Sequence, residues 1–435
     1  MSDYQTIVIG AGPAGSAVAY PLAAKQCVLV IERDLFGGTC PNRGCDPKKM
    51  LYSAIETKLL ANHMQGFGLS GEPQINWPDL MAFKRAYTSQ IPVGTQRGLT
   101  SAGITTIHDA PTFIDAHTLQ IAGEKVTTDN IVIATGQTPR ALDISGHQWA
   151  KTSTDFLDLD QLPNRITFIG GGYISFELAN IAAVAGAKVT LIHHNDRPLK
   201  AFPQDLVDAL INQMTAIGID VKLETTPTEI QQSSGHFTVQ TSNGAIESDL
   251  VINATGRIPN LAGLNLSDIG VLTDEHGIQV NDHLKTTVEN VYAIGDVVSR
   301  REPKLTPVAG FEGAYVAQSI LGSTTAPIHY PVIPTIVFGT EKLAQVGVSV
   351  NTALAQPDVY TVEHLDVTHW YTYNRIKDPT AQALVVKDAA HNVVGIASLS
   401  SVADELINTF VDQLTPTGSP IYAYPTPASD LSYFA

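Results

Sequence analysis

A strand–glycine turn–helix unit at residues 6–25 and a second at residues 165–186 predict an α/β fold with two Rossmann-like, dinucleotide-binding domains. A change of character from about Tyr330 onward marks a further, C-terminal domain. A chain of 435 residues with 44% hydrophobic content has room for more than one packed core. The formal net charge of −16 excludes a sequence-independent nucleic-acid binder, which needs a basic face, and gives no reason to expect adhesion to anionic lipid. Met1 to Gln5 carries no basic leader, and no uninterrupted apolar run is long enough for a spanning helix. A cytoplasmic protein is the expectation.

The first unit reads Thr6-Ile7-Val8-Ile9-Gly10-Ala11-Gly12-Pro13-Ala14-Gly15 and continues into an Ala-rich helix. Gly10 allows the tight turn, Gly12 lets backbone approach a pyrophosphate, and Gly15 lets helix pack on strand. The helix start, around Ala14, offers N–H groups and a partial positive charge to phosphates. A second strand, Cys27 to Ile31, ends at Glu32, placed to accept bonds from a ribose diol. Cys27 lies in an apolar run and is expected to pack in the core as a small hydrophobe.

Cys40 and Cys45 follow in Gly37-Gly38-Thr39-Cys40-Pro41-Asn42-Arg43-Gly44-Cys45-Asp46-Pro47-Lys48-Lys49. With three cysteines in the whole chain there is no disulfide framework, so a close pair here points to redox chemistry. A structural disulfide or half a zinc site is the competing reading. Zinc needs about four ligands and no second pair exists, so no metal site is predicted.

The second unit reads Arg165-Ile166-Thr167-Phe168-Ile169-Gly170-Gly171-Gly172-Tyr173-Ile174-Ser175, with Ser175 replacing the third glycine. Its next strand, Lys188 to His194, ends without an acid. His194, Arg197 and Lys200 stand there instead, which favours the 2′-phosphate of NADP over the free hydroxyl of NAD. The segments Ile131 to Gly136, with Thr135, and Val251 to Gly256, followed by Arg257, echo each other as strand-to-turn pieces, one per unit.

These motifs, in this order, resemble the pyridine nucleotide–disulfide oxidoreductases, the family of glutathione reductase, dihydrolipoamide dehydrogenase and mercuric reductase. The resemblance spans nearly the whole chain. It implies FAD in the first unit, with Asp296 of Ala293-Ile294-Gly295-Asp296-Val297 at the ribityl chain. Thr39, Thr135, Gly136 and Thr306 would also lie at the FAD. It implies NADP in the second, at Gly170, Gly172, Tyr173, Ile174, His194, Lys200, Gly256 and Arg257, with Tyr173 covering the flavin. Cys45 becomes the thiol next to the flavin and Cys40 the interchange thiol, while Lys48 or Lys49 pairs with Glu177. Expected boundaries are 1–149 for the FAD domain, 150–258 for the NAD(P) domain, 259–329 for a central segment completing the first, and 330–435 for an interface domain that makes a homodimer.

One segment departs from the family. Disulfide reductases carry His-Pro-Thr near the C-terminus with a glutamate five residues after the histidine. Here Tyr424 stands for the histidine and Ser429 for the glutamate, ahead of a Tyr424–Pro425 bond expected to be cis. A phenol is a poor base at neutral pH. The electron path to Cys40 and Cys45 is therefore clearer than its end. A small disulfide is the first reading of the acceptor. A metal ion, quinone or other electrophile is the second, and a non-catalytic redox-sensing flavoprotein the third.

Overall fold

The computed structural model describes residues 2–415 and 419–434. The chain gathers into two compact units, each built from separated segments. The first comprises residues 1–47, 85–139 and 257–330. The second comprises residues 48–84, 140–256 and 331–435.

The first unit is organised by one seven-stranded sheet. Strands Thr105–His108, Val28–Glu32, Tyr4–Ile9 and Glu124–Ile133 lie side by side and parallel, and Val291–Ala293 pairs in parallel with the last. Antiparallel strands Thr118–Ile121 and Thr112–Asp115 extend the far edge. The parallel strands are apolar without alternation, as a sheet covered on both faces requires. One face packs Val8, Val30 and Val132 against helices Pro13–Ala23 and Thr306–Ile320. The other packs Ile7, Ile9, Leu29, Ile131 and Ile133 with Phe113 and Leu266.

The second unit holds a four-stranded parallel sheet in the order Asp220–Lys222, Lys188–Ile192, Arg165–Ile169, Leu250–Asn253. Helix Tyr173–Val184 follows the strand Arg165–Ile169, as helix Pro13–Ala23 follows Tyr4–Ile9 in the first unit. A five-stranded antiparallel sheet, Thr335–Phe338, Lys342–Gly347, Val393–Ser400, Gln382–Asp388 and Tyr360–Asp366, makes the C-terminal α+β part. Helix Ala403–Leu414 covers it through Ala403, Ile407 and Val411, a repeat of four that keeps one helix face apolar. Leu51, Ile55 and Leu59 of helix Cys45–His63 use the same repeat to join Phe156, Phe168 and Phe176 in the largest core. Each such buried side chain contributes about 1.5–3 kcal/mol.

Cys27 corrects the sequence reading. Strand pairing starts at Val28, so Cys27 sits one residue outside the sheet and its side chain is exposed. No described helix is long and apolar enough to cross a membrane.

A buried ionisable pair lies in the second unit. His63 Nε2 meets Glu341 Oε1 at 3.1 Å beside a small cavity lined also by Tyr52, Glu56 and Ser401. Burial, with Asp378 nearby, pushes the Glu341 carboxyl up to about 7 against the opposing pull of His63. Burial would lower the His63 ring, but the hydrogen bond and charge of Glu341 outweigh it and leave it raised. Both folded values lie above the unfolded ones. The Glu341 contribution is therefore complete below about pH 4 and is lost as pH rises toward about 7, whereas that of His63 is kept up to about pH 6.5 and is lost as pH rises through its raised folded value. Glu341→Gln, which mimics the protonated acid, should gain on the wild type by about 3 kcal/mol between about pH 5 and about pH 8. Urea unfolding of both proteins across that range checks it. A constant difference would show that Glu341 does not titrate there.

Candidate active site

The glycine turn of the first unit is built for close approach. Gly10 has φ +109°, and a Cβ there would lie 2.4 Å from Ala134 O. Gly12 caps helix Pro13–Ala23 without any side-chain hydrogen bond, and a Cβ on Gly38 would meet Gly12 Cα at 2.7 Å. Glu32 is 9% exposed; its Oε2 accepts the Ala11 N–H at 2.8 Å and its Oε1 the Asp34 N–H at 2.9 Å. The carboxylate thus holds the glycine turn itself, and each oxygen keeps a further lone pair. Thr135 Oγ1 and Arg300 Nε and Nη2, in the same unit, are buried without a hydrogen-bond partner among the described residues. Burial raises the Asp296 carboxyl above its ordinary value, with Arg300, Arg257 and Lys304 pulling the other way. An uncapped helix start and orphaned donors fit a polyanionic cofactor with hydroxyl groups, as FAD is. Gly136 has φ +65° at the end of its strand-to-turn piece.

The cysteines sit at two helix starts. Cys40 belongs to the short helix Thr39–Arg43 and Cys45 opens helix Cys45–His63. Gly44 separates them, and a Cβ there would press on Thr39 O at 2.8 Å and Cys40 Cα at 3.0 Å. Cys40 is 8% exposed and Cys45 is half-buried, and no disulfide joins them. Cys45 Sγ lies 3.9 Å from Thr306 Oγ1. A hydrogen bond with Cys45, then burial and negative charge on Cys45 and Asp46, push the Cys40 thiol well above its ordinary value. The sequence reading missed Asp46. Its signal was a charged residue next to a reactive cysteine.

In the second unit Glu177 is 2% exposed and receives both lysines. Lys48 Nζ lies 2.8 Å and Lys49 Nζ 2.6 Å from its Oε2, while Oε1 accepts the Phe338 N–H at 3.1 Å. Burial would raise this carboxyl, but the two ammonium groups outweigh it and hold it below its ordinary value. Lys48 Nζ also stands 5.2 Å from the centre of the Tyr173 ring, which is 45% exposed.

The second glycine turn repeats the first. A Cβ on Gly170 would lie 2.4 Å from Ala254 O, and Gly172 caps helix Tyr173–Val184 without a side-chain bond, with Ile174 in its first turn. Strand register identifies the residue matching Glu32. Ile9 pairs with Ile31 and Ile169 with Ile192, so the residue after each pair is Glu32 in one unit and His193 in the other. The His193 ring packs on Gly171, where a Cβ would meet it at 2.6 Å. His194 is one residue further on, its ring centre 4.6 Å from that of His193. Burial and then His194 lower the His193 pKa, so it is neutral at pH 7. The side chain of Arg197 donates to Asn351 Oδ1 at 3.3 Å, and Asn351 Nδ2 donates to Lys200 O at 3.3 Å. Gly256 O accepts the Arg140 N–H in this unit, and Arg257 in the other donates to Gln137 O.

Near the C-terminus the Tyr424–Pro425 bond is cis. Asn408 anchors the turn, accepting the Ala423 N–H at 2.9 Å and donating to Thr426 Oγ1 at 2.8 Å. Ser429 Oγ closes back on Thr426 O at 2.6 Å and accepts the Thr426 N–H at 3.1 Å. Tyr424 is half-buried beside this turn.

A family model described as pyridine nucleotide-disulphide oxidoreductase matches residues 4–313. The chain is 34% identical to a glutathione reductase of Burkholderia cepacia, over 80% of this chain and 78% of that protein. It is 31% identical to a glutathione reductase of a Nostoc species, over 93% and 92% of the two chains. It is also 31% identical to a mercuric reductase of Bacillus cereus, over 81% of this chain and 57% of that one. Such proteins are oxidoreductases that bind FAD and a pyridine nucleotide and carry a redox-active disulfide centre. With two glycine turns, a thiol pair and a match over most of its length, the chain belongs to the pyridine nucleotide–disulfide oxidoreductase family.

Proposed function

We propose that this protein is an NADPH-dependent, FAD-containing reductase of a small disulfide. The observation that carries the reading is the Cys40–Cys45 pair, held close across Gly44 in a unit whose glycine turn and orphaned donors suit FAD. Bound FAD supplies the two-electron relay between nicotinamide and disulfide. The protein's own residues do the rest. Glu32, Arg300, Thr135 and Asp296 orient the cofactor's phosphates and hydroxyls. Lys48 and Lys49, of whose two charges Glu177 offsets one, keep a net positive charge in a nearly dry position, which would favour negative charge developing during reduction. Cys40 attacks the acceptor and Cys45 closes the disulfide behind it.

NADPH is assigned because an acid at the His193 position would repel a 2′-phosphate, and the residues that follow include His194, Arg197 and Lys200. The C-terminal α+β part is assigned to a homodimer interface, with Tyr424 directed at the active site of a second copy.

A second reading, a reductase of a metal ion, quinone or other electrophile, is favoured by one observation. Ser429 is engaged with its own turn, so no imidazole–carboxylate pair stands in the segment to handle a thiol proton.

The purified protein should be yellow and should oxidise NADPH faster than NADH with a small disulfide as acceptor. His193→Glu should shift the nucleotide preference toward NADH by about 1–3 kcal/mol, the scale of a charge-assisted bond. Turnover with Hg(II) or a quinone but with no disulfide in a panel selects the second reading. A colourless protein that takes up no flavin overturns the cofactor assignment.

A further inference from the structure

Asp46 follows Cys45 and is used by none of the chemistry above. Cys40 Sγ donates to Asp46 Oδ1 at 3.7 Å, and Tyr87 OH donates to Asp46 Oδ2 at 3.1 Å. The three form a chain from a thiol 8% exposed to a phenol 43% exposed. The Cys45 sulfur and the Thr306 hydroxyl also face Cys40. The Asp46 carboxylate is an acceptor-only group. Cys40 rests as a thiol, because its surroundings push its pKa up, so its proton needs an acceptor at the moment of attack.

We propose that Asp46 is the proton-transfer group of Cys40, with Tyr87 as the residue that positions it and links it to solvent. This rests on the reading of Cys40 as the attacking thiol. The Cys40 sulfur attacks one sulfur of R–S–S–R, and its proton passes to Asp46 as the new S–S bond forms. The substrate S–S bond breaks, and the departing RS⁻ takes that proton as RSH. The Cys45 sulfur, whose negative charge faces Cys40, then attacks the Cys40 sulfur, and the second RS⁻ leaves as RSH with a proton from solvent. Two electrons pass from the cysteine pair to the substrate with one proton from Cys40 and one from solvent, giving one enzyme disulfide and two thiols. A carboxylate is a weaker base than a thiolate, so the proton moves together with bond formation and not before it. Asp46 thus takes the place that the family gives to the missing histidine.

The test uses the full-length, flavin-loaded protein in a Cys27→Ser background, since Cys27 is also an exposed thiol. The protein is reduced with dithiothreitol, desalted and mixed with 2,2′-dipyridyl disulfide, an uncharged probe whose released thione is coloured. The wild-type attack rate should vary little between about pH 6 and pH 8. Asp46→Asn should be slower by about tenfold or more at the acid end and should rise by about tenfold per pH unit, because only thiolate made by solvent can then attack. Asp46→Glu should restore a level profile in part. Tyr87→Phe should slow attack by a few-fold. An Asp46→Asn rate that runs parallel to wild type at every pH would overturn the proposal, leaving a packing role. A faster Asp46→Asn would also overturn it, since removing a mere charge lowers the thiol pKa. A wild-type dithiol inert to the probe at every pH would instead remove the reading of Cys40 itself, and this proposal with it.

Discussion

Glu312→Ala should cost about 3–5 kcal/mol. The Glu312 side chain is fully buried and accepts three hydrogen bonds, from the Gly295 N–H, Arg300 Nη1 and the Tyr330 hydroxyl, each at 2.6 Å. Burial pushes its carboxyl above the ordinary value, while Arg300 and the hydrogen bonds pull it back. Arg300 is itself 5% exposed at the side chain, and its Nε and Nη2 have no partner among the described residues. Deleting the carboxylate strands a buried guanidinium, which outweighs the loss of three ordinary hydrogen bonds. The effect reaches the site, because Gly295 opens the turn Gly295–Val297 that carries Asp296. Flavin retention should therefore weaken along with stability. Glu312→Gln keeps acceptor geometry without the charge and should cost less. Urea unfolding of the three proteins decides it; a Glu312→Ala loss below about 1 kcal/mol would mean that water reaches Arg300.

Some of this architecture could be read from the chain because steric demands leave a mark in residue type. Gly10 and Gly170 each face a backbone carbonyl that a Cβ would strike, so glycine is required and the turn is visible in the sequence. Two copies of the turn, each followed by a helix and an apolar strand, were enough for the fold class. Positions decided by the end of a strand were harder. Cys27 looks like core because its neighbours are apolar, yet pairing begins one residue later. His194 looks like the residue that stands in for the acid, yet register makes His193 the equivalent of Glu32. Contacts made across sequence distance left almost no trace. Nothing in the sequence announces that Tyr87 reaches Asp46 or that Glu312 gathers Arg300 and Tyr330. Asp46 stands between Cys45 and Pro47, where a single carboxylate carries no pattern of its own.

Cys40→Ser should lower disulfide turnover by about a thousandfold or more, the scale on which an enzyme loses rate with its nucleophile. A serine hydroxyl fills nearly the same volume and can still donate toward Asp46, so folding should be little changed. It cannot attack a disulfide sulfur, because an alcohol stays protonated far above the pH at which a thiol ionises. Cys45 cannot stand in for it if its task is to resolve the mixed disulfide formed on Cys40. Cys45→Ser should therefore behave differently: the reduced protein still attacks once, releases one thiol and stops, trapped as a mixed disulfide on Cys40. Cys27→Ser, at the exposed thiol outside the sheet, should turn over like the wild type. Rapid mixing of each reduced variant with a disulfide, followed by mass measurement of the protein, separates these outcomes. A one-thiol burst from Cys40→Ser, with none from Cys45→Ser, would exchange the two roles and would move the proton-transfer task of Asp46 away from the attacking sulfur.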